Sequence, residues 1–357
     1  MAIIDKSTDY FRIKLYSGNN NIQSIVWDET DTNMKPDMLW IKSYAGNTVF
    51  EHVLGNIVSG ANTYTVSNST AAEASNSNVI RAFNTNGFEV GGATQVSEGG
   101  RSYVAWGWKA SNTTATNTAG SINSTVSVNA EAGFSVVGYT GNGTGNITIG
   151  HGLGATPTFI IVKNRTTAQD WGTLSPSFVS ASEPRILYLS KTSSFANDTN
   201  VWGTSAAFNN NTFTVGDWNG SNQSSSNFIA YCFANVPSFS KFGLYTGNGS
   251  SDGPFVYTGF KPAFVMVKKS AGTGNWFMKD TARDPGNPAE STLAANSASS
   301  AAGWGTSDSL DLLSNGFKMR DDTANINTNG DTYIYVSFAE NPFVTSTDNN
   351  SIPATAR

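Results

Sequence analysis

The sequence predicts an all-β protein of three tandem antiparallel β-sandwich repeats, jelly-roll or lectin-like in kind, each about 105 residues long. Three observations carry this reading. The same landmarks return three times along the 357 residues; Gly, Asn, Ser and Thr abound while only 13% of residues are charged; and no stretch has the spacing of an amphipathic helix. The Ala-rich run from Ala294 to Ala302 is interrupted by serines and stops at Gly303, so little helix is expected.

The landmarks set the register. Each copy opens on Tyr-Ser/Thr-Gly-Asn, at Tyr16-Ser17-Gly18-Asn19, Tyr139-Thr140-Gly141-Asn142 and Tyr245-Thr246-Gly247-Asn248. A proline then leads into an apolar run closed by lysine, from Pro36 to Lys42, Pro157 to Lys163 and Pro262 to Lys268. Each copy ends on an aromatic strand, Tyr103 to Trp108, Phe228 to Phe233 and Tyr333 to Phe338. Tyr245 follows Tyr139 by 106 residues, and Pro262 follows Pro157 by 105. The first and second copies lie further apart, Tyr139 following Tyr16 by 123 residues, because an extra stretch intervenes. The expected organisation is therefore repeats at 1–110, 133–236 and 237–345, a Ser/Thr/Asn-rich linker at 111–132 and a C-terminal tail at 346–357. The linker is small and polar from Ser111 to Gly120, which suits either a flexible tether or an extended arm over a neighbour.

Within a copy, Met38-Leu39-Trp40-Ile41, Phe159-Ile160-Ile161-Val162 and Phe264-Val265-Met266-Val267 are apolar at every position. Such a strand is covered on both faces, between two sheets or beneath a neighbouring copy. The proline before it cannot donate to a ladder and suits the start of a strand. In the closing strand Val104, Trp106 and Trp108 share one face, as do Ile229, Tyr231 and Phe233, and Ile334, Val336 and Phe338. That face is bulky and buried. Cys232 lies on the other face, where Gly107 and Ser337 stand in the other copies, and reads as a small structural residue. Asn86-Gly87 and Asn315-Gly316 predict type I′ hairpin turns, with Asn211-Thr212 a looser counterpart. Trp202-Gly203-Thr204-Ser205 and Trp304-Gly305-Thr306-Ser307 mark one further shared loop.

The net charge is −5, so nothing prepares the chain for a phosphate backbone, and nucleic acid is not an expected partner. No run approaches the apolar length of a membrane span and Met1 to Lys6 lacks a secretory pattern, so folding in a cytoplasm without membrane insertion is expected. One cysteine excludes an internal disulfide. Asn-X-Ser/Thr triplets such as Asn68-Ser69-Thr70 follow from composition and are not read as glycosylation sites.

No catalytic, cofactor-binding or metal site is expected. His151, in Gly150-His151-Gly152-Leu153-Gly154, falls opposite Val256 when the prolines are aligned, and a place that valine can fill is structural. His52 has no nucleophile motif near it. Asp28-Glu29-Thr30-Asp31 and Asp321-Asp322 lack the ligand spacing of calcium loops and read as solvated acids. Gly141-Asn142-Gly143 is not followed by the residues of a phosphate loop. The local candidate for ligand contact is Gly216-Asp217-Trp218-Asn219-Gly220-Ser221-Asn222. There the ring of Trp218 could stack on a sugar, flanked by Asp217 and Asn219 as hydrogen-bonding partners, on a loop that reads as specific to the second copy. The same tryptophan could instead pack on its own domain or on a partner subunit.

The combined strings resemble a repeat family of structural proteins of marine and freshwater tailed bacteriophages, of the tail-fibre or virion kind. The resemblance is carried by Tyr139-Thr140-Gly141-Asn142-Gly143, Gly150-His151-Gly152-Leu153-Gly154-Ala155-Thr156-Pro157, Phe255-Val256-Tyr257-Thr258-Gly259-Phe260-Lys261-Pro262 and Phe338-Ala339-Glu340-Asn341-Pro342-Phe343, and covers essentially the whole chain. It implies a virion protein assembled in a host cytoplasm and carries over no catalytic residue. The expected function is therefore non-enzymatic: a tail-fibre or tail-appendage subunit that self-associates and binds other virion proteins. Self-association is expected as a homotrimer, or as three repeats imitating one, with host-surface carbohydrate touched through Asp217, Trp218 and Asn219. The alternatives are a capsid decoration protein without a receptor, and a polysaccharide depolymerase, which would need two carboxylates in an aromatic groove.

Overall fold

The computed structural model describes residues 4–29, 31–45, 50–175, 185–203 and 208–342. Within them the protein is all-β and its sheets are antiparallel, with helix confined to turns of three or four residues. The expected C-terminal tail at 346–357, and Thr204-Ser205 of the shared loop, lie outside the described residues.

Each copy of the landmarks builds a large sheet and a small one. In every large sheet the opening, closing and proline-led strands lie side by side in that order. They are Phe11–Ser17, Ser102–Trp108 and Met38–Ala45 in the first unit, and Phe134–Thr140, Asn227–Phe233 and Phe159–Asn164 in the second. In the third they are Ser240–Thr246, Thr332–Pro342 and Phe260–Lys269. In the small sheets Gln23–Val26 pairs with Gly87–Val90, Ile147–Gly150 with Thr212–Val215, and Phe255–Tyr257 with Gly316–Met319. Among the described residues no sheet runs from one unit into another.

Alternation along the strands gives each large sheet two buried faces. Toward its own small sheet, Leu39, Ile41 and Tyr103 meet Ile25 and Phe88; Ile160, Val162 and Phe228 meet Ile149 and Phe213; Val265, Val267 and Tyr333 meet Val256 and Phe317. The opposite faces of all three large sheets meet in one common core, where Trp40, Trp106 and Trp108 join Ile161, Tyr231 and Phe233, and Met266, Val336 and Phe338. Equivalent residues thus surround a pseudo-threefold axis. The ring of Phe338 lies 5.5 Å from that of Trp108 and 5.7 Å from that of Phe233, and the matching Met38, Phe159 and Phe264 close in beside them, leaving about 20 Å³ unfilled. The proline-led strands are covered by a sheet on one face and by neighbouring units on the other.

The lysine that closes each proline-led strand seals a seam. Lys42 Nζ donates to Phe50 O and to Ala298 O of the third unit, both at 2.6 Å. Lys163 Nζ donates to Gln169 O at 2.7 Å and to Thr70 O of the first unit at 2.9 Å. Lys268 Nζ donates to Lys269 O at 2.7 Å and to Thr192 O of the second unit at 3.2 Å. Each unit reaches back to the one before it and the first reaches the third, so the contacts form a closed ring. The indoles of Trp171 and Trp276 repeat the pattern, donating to Val66 O at 2.8 Å and Tyr188 O at 2.9 Å across the same seams. Arg165 adds a two-pronged ion pair to Glu73, at 2.8 and 2.7 Å.

Three expectations change. The segment at 111–132 is not a tether: Ala115–Asn117 and Ser124–Asn129 extend the large sheet of the second unit. It is pinned by the buried carboxylate of Asp37, which accepts from Ala110 N, Asn112 N, Asn112 Nδ2 and Ser127 Oγ at 2.6–3.0 Å. The hairpins ahead of Phe88 and Phe317 pair Asn84 with Gly87 and Leu313 with Gly316, so their central residues are Thr85-Asn86 and Ser314-Asn315, and neither asparagine has positive φ. The glycines serve another purpose, because a Cβ on Gly87 or Gly316 would fall 2.0 or 2.1 Å from the carbonyl of Ile25 or Val256 on the adjacent strand. Lastly, Pro262 lies inside its strand, where register shifts on both sides mark a bulge that accommodates the missing N–H.

A core shared by all three units should make them unfold together. Urea denaturation is expected to give one transition, and Phe264→Ala to lower stability by about 3–5 kcal/mol. Separate transitions by fluorescence and circular dichroism would contradict the common core. The seams add a pH dependence. Burial lowers Lys42, Lys163 and Lys268 from 10.5 to about 8, so between those values the unfolded chain holds more protons and stability rises with pH. Above pH 10 buried tyrosines reverse this, since burial raises Tyr103 and Tyr335 from 10.0 to about 12 and the unfolded chain ionises first. Melting temperatures should climb from pH 8 to 10 and fall beyond, and replacing the three lysines by methionine should reduce the climb.

Candidate ligand-contact surface

Loops at the end of each opening strand form a matched set, and the Tyr-Ser/Thr-Gly-Asn motif builds them. The hydroxyls of Tyr16, Tyr139 and Tyr245 donate to Val96 O, Ser221 O and Ile326 O at 2.8, 2.7 and 2.6 Å. Their rings stack on Tyr103, Phe228 and Tyr333 with centroids 5.2, 5.1 and 5.0 Å apart. The glycine allows close approach: a Cβ on Gly18, Gly141 or Gly247 would stand 2.1–2.4 Å from the carbonyl of Glu98, Gln223 or Thr328. The repeated motif is thus absorbed by structure.

The candidate Trp218 sits on one of these loops. It precedes the helical turn Asn219–Asn222, closed by Asn222 N donating to Trp218 O at 2.8 Å. The same turn occurs in the other units, where Ser97 N donates to Ala93 O and Asn327 N to Thr323 O. The loop is therefore common to all three units and only its side chains are particular to the second. The turn rests on backbone bonds that do not select side chains, so residue comparison hides it. The ring of Trp218 is half-buried, edge-on to Tyr188 at 5.8 Å and so close over Gly220 that a Cβ there would lie 2.1 Å from it. Asp217 and Asn219 are exposed on either side, with the Asn219 carbonyl accepting from Asn164 Nδ2 at 2.8 Å. The tryptophan packs on its own unit and leaves the two polar neighbours at the surface.

Two open clefts are lined by amides and hydroxyls. The larger, about 500 Å³, lies in the first unit among Asn20, Asn21, Asn76, Asn78, Thr94 and Gln95, and none of its lining residues is charged or aromatic. Asn20 there adopts φ 61°, and a Cβ on the neighbouring Gly92 would fall 2.4 Å from its carbonyl. The second, about 370 Å³, lies where Val58 of the first unit meets Thr116, Asn123, Thr125, Thr140 and Asn227 of the second, and its lining also holds Tyr139 and the charged Arg165, which is paired with Glu73. The neutral donors and acceptors of the first cleft suit a neutral, hydroxyl-rich ligand. The sequence reading did not single these residues out, because an asparagine that lines a cleft looks like the many that make turns; the adjoining Gly91-Gly92 pair is the one local signal.

The histidines and the cysteine are buried, and acids of the Asp28–Asp31 run are paired with lysines. His151 is buried, its Nδ1 accepting from Leu153 N at 3.2 Å and its Nε2 facing Asn209 O at 3.1 Å, and burial lowers its pKa. It does not match Val256: Ile149 pairs with Phe213 as Val256 pairs with Phe317, so the register sets His151 opposite Thr258, and the longer loop before Pro157 displaced the proline-based alignment by two residues. His52 is buried with its Nδ1 accepting from the indole of Trp40 at 2.9 Å. Cys232 is buried, which pushes its thiol pKa up and keeps it unreactive. Asp28 pairs with Lys14 and Asp31 with Lys6, while Thr30 lies outside the described residues. Among the described residues no three His, Cys, Asp or Glu side chains cluster to hold a metal.

A family model described as a domain of unknown function, DUF7483, matches residues 6–342. The chain belongs to this family. The DUF7483 match runs through all three units and the inserted segment between the first two. No curated protein and no solved structure matches the chain. No helix among the described residues of this DUF7483 chain is long and apolar enough to cross a membrane.

Packing of Trp218 on its own unit has a measurable consequence. Trp218→Ala should cost about 2 kcal/mol in urea denaturation, whereas Asp217→Ala and Asn219→Ala should stay within about 0.5 kcal/mol of the parent. A neutral Trp218→Ala would contradict the packing.

Proposed function

We propose that this protein is a non-enzymatic structural component of a tailed-bacteriophage particle, a tail-fibre or tail-appendage subunit that offers polar loops to the host surface. The observation that carries this is the common aromatic core, which joins three β units into one body and turns Asn-, Ser- and Thr-rich loops outward. In this reading the units are three copies of one β-sandwich element. The resemblance of the landmark strings to phage structural repeats supplies the particle. Buried, neutral histidines and a buried thiol suit a scaffold rather than an acid–base or nucleophilic site.

Host contact in this reading falls to the Asn-lined cleft of the first unit and to Asp217 and Asn219 of the second, all able to bond sugar hydroxyls. Weak contacts of that sort add when many copies are displayed on one particle. One chain supplies threefold geometry by itself, so a single copy is placed at the end of a threefold fibre in place of the homotrimer expected from the repeats.

Immunogold labelling of intact particles tests the reading. Gold is expected on the tail or its fibres, and purified protein is expected to slow adsorption of the phage to its host in proportion to concentration. Gold spread over the head would make the protein a capsid decoration, and cleavage of a host surface polymer by the purified chain would overturn the non-enzymatic role.

A further inference from the structure

The first unit departs from the other two at one loop, and the departure lies beside its cleft. The residue that ends the matched helical turn is Asn222 in the second unit and Asn327 in the third. Each ties two loops together. Asn222 Nδ2 donates to Thr144 O at 2.7 Å and to Gly216 O at 2.9 Å, and Asn327 Nδ2 donates to Ser250 O at 2.7 Å and to Asp321 O at 3.0 Å. Ser97 stands at this place in the first unit. Its hydroxyl serves the opening loop alone, donating to Asn21 O at 3.3 Å and accepting from Gln23 Nε2 at 3.0 Å. Gly91 lies as far beyond Phe88 as Gly216 lies beyond Phe213, and Gly92 as far as Asp321 beyond Phe317. Ser97 makes no hydrogen bond to either glycine, so the strut of the other units is missing here.

A second difference adds an amide at the same place. Asn20 N donates to Ser97 O at 2.6 Å, as Gly143 N donates to Asn222 O and Gly249 N to Asn327 O, both at 2.9 Å. The three residues share positive φ, 61°, 73° and 65°. The first unit thus carries a side chain where the others keep glycine, in a backbone conformation that favours glycine and tolerates asparagine. Strain kept at an exposed loop points to a use for the side chain. That side chain is held in one orientation, since Asn20 Oδ1 accepts from Gly99 N at 2.8 Å. Asn76 Oδ1 likewise accepts from Asn78 N at 2.8 Å. Among the described residues the amide groups of Asn20 and Asn76 are therefore left with free N–H donors. Asn21 is held the other way, its Nδ2 donating to Asn19 O at 2.8 Å and its Oδ1 left free. Beside them Ile22, 54% exposed, gives the cleft an apolar wall.

We propose that the cleft of the first unit binds a 2-acetamido sugar, a ligand of the N-acetylhexosamine class. The acetamido carbonyl accepts from the amides of Asn20 and Asn76, its N–H donates to the oxygen of Asn21, and its methyl rests on Ile22. A plain sugar has no methyl to cover that wall. An acidic or phosphorylated sugar meets no cation, since none of the lining residues is charged. The inference rests on the reading of this cleft as a host-contact surface and narrows the carbohydrate it takes.

Saturation-transfer NMR on the full chain tests this, with N-acetylglucosamine as the probe and glucose as the control. Transfer is expected to N-acetylglucosamine, strongest at the acetamido methyl, and much less to glucose. Asn76→Ala and Ile22→Ser alter exposed side chains and should leave the melting temperature unchanged. Asn76→Ala should weaken binding about tenfold, and Ile22→Ser should remove the preference over glucose. Ser97→Asn, which supplies the strut of the other units, should abolish transfer. Equal transfer to the two sugars overturns the acetamido assignment and leaves the cleft a general sugar site. Transfer undiminished in both Asn76→Ala and Ile22→Ser puts the binding elsewhere and overturns the assignment as well. No transfer to either sugar overturns it together with the part of the cleft in host contact, while gold on the tail would still uphold the particle reading.

Discussion

Side chains two residues apart on a strand face the same way, and the closing strands convert that constraint into the whole arrangement. Trp106 and Trp108, Tyr231 and Phe233, and Val336 and Phe338 turn bulk toward one axis, while the other face, aromatic at Tyr103, Phe228, Tyr333 and Tyr335 and small at Ala105, Ala230, Cys232 and Ser337, packs against the small sheet. Without the bulky face there would be no common core, and each unit would be left with a thin local one. In the first unit that second face must be small at Gly107, where a Cβ would fall 2.7 Å from the ring of Trp27.

Much of this was legible along the chain. The repeats were visible because their landmarks answer to backbone geometry that tolerates little substitution. Gly18, Gly141 and Gly247 each meet a carbonyl too near for any Cβ, and Tyr16, Tyr139 and Tyr245 each donate to a carbonyl of the matching turn, a short helix in the first two units. Burial of the proline-led strands on both faces was also legible, since unbroken apolar runs admit little else. What covers the second face was not, because strand patterning reports burial and not the identity of the neighbour. Lys42, Lys163 and Lys268 looked like charges at the ends of strands. Their burial depends on carbonyls brought from another unit, which no local pattern contains.

Alignment by prolines failed at His151 because loop length and the bulge at Pro262 shift residues without changing the landmarks. The surface was the least legible part. Trp218 stood out for its chemistry, yet its ring is engaged by Tyr188 and Gly220. Asn20, Asn76 and Gln95 line an open cleft but belong to residue types that this chain uses everywhere for turns. Composition so rich in Asn, Ser and Thr stabilises loops and masks binding residues at once.

The ring of seam contacts also bears on how such a chain can change over evolutionary time. Open arrays of repeats grow and shrink by whole copies, since each copy touches only its neighbours and an end can be extended. Here the first unit grips the third through Lys42 and Ala298, so neither end is spare. A duplication would insert a fourth wedge into a core filled by three, and a deletion would leave two wedges around a gap. Copy number is therefore held by geometry, and divergence is left to the side chains of individual loops.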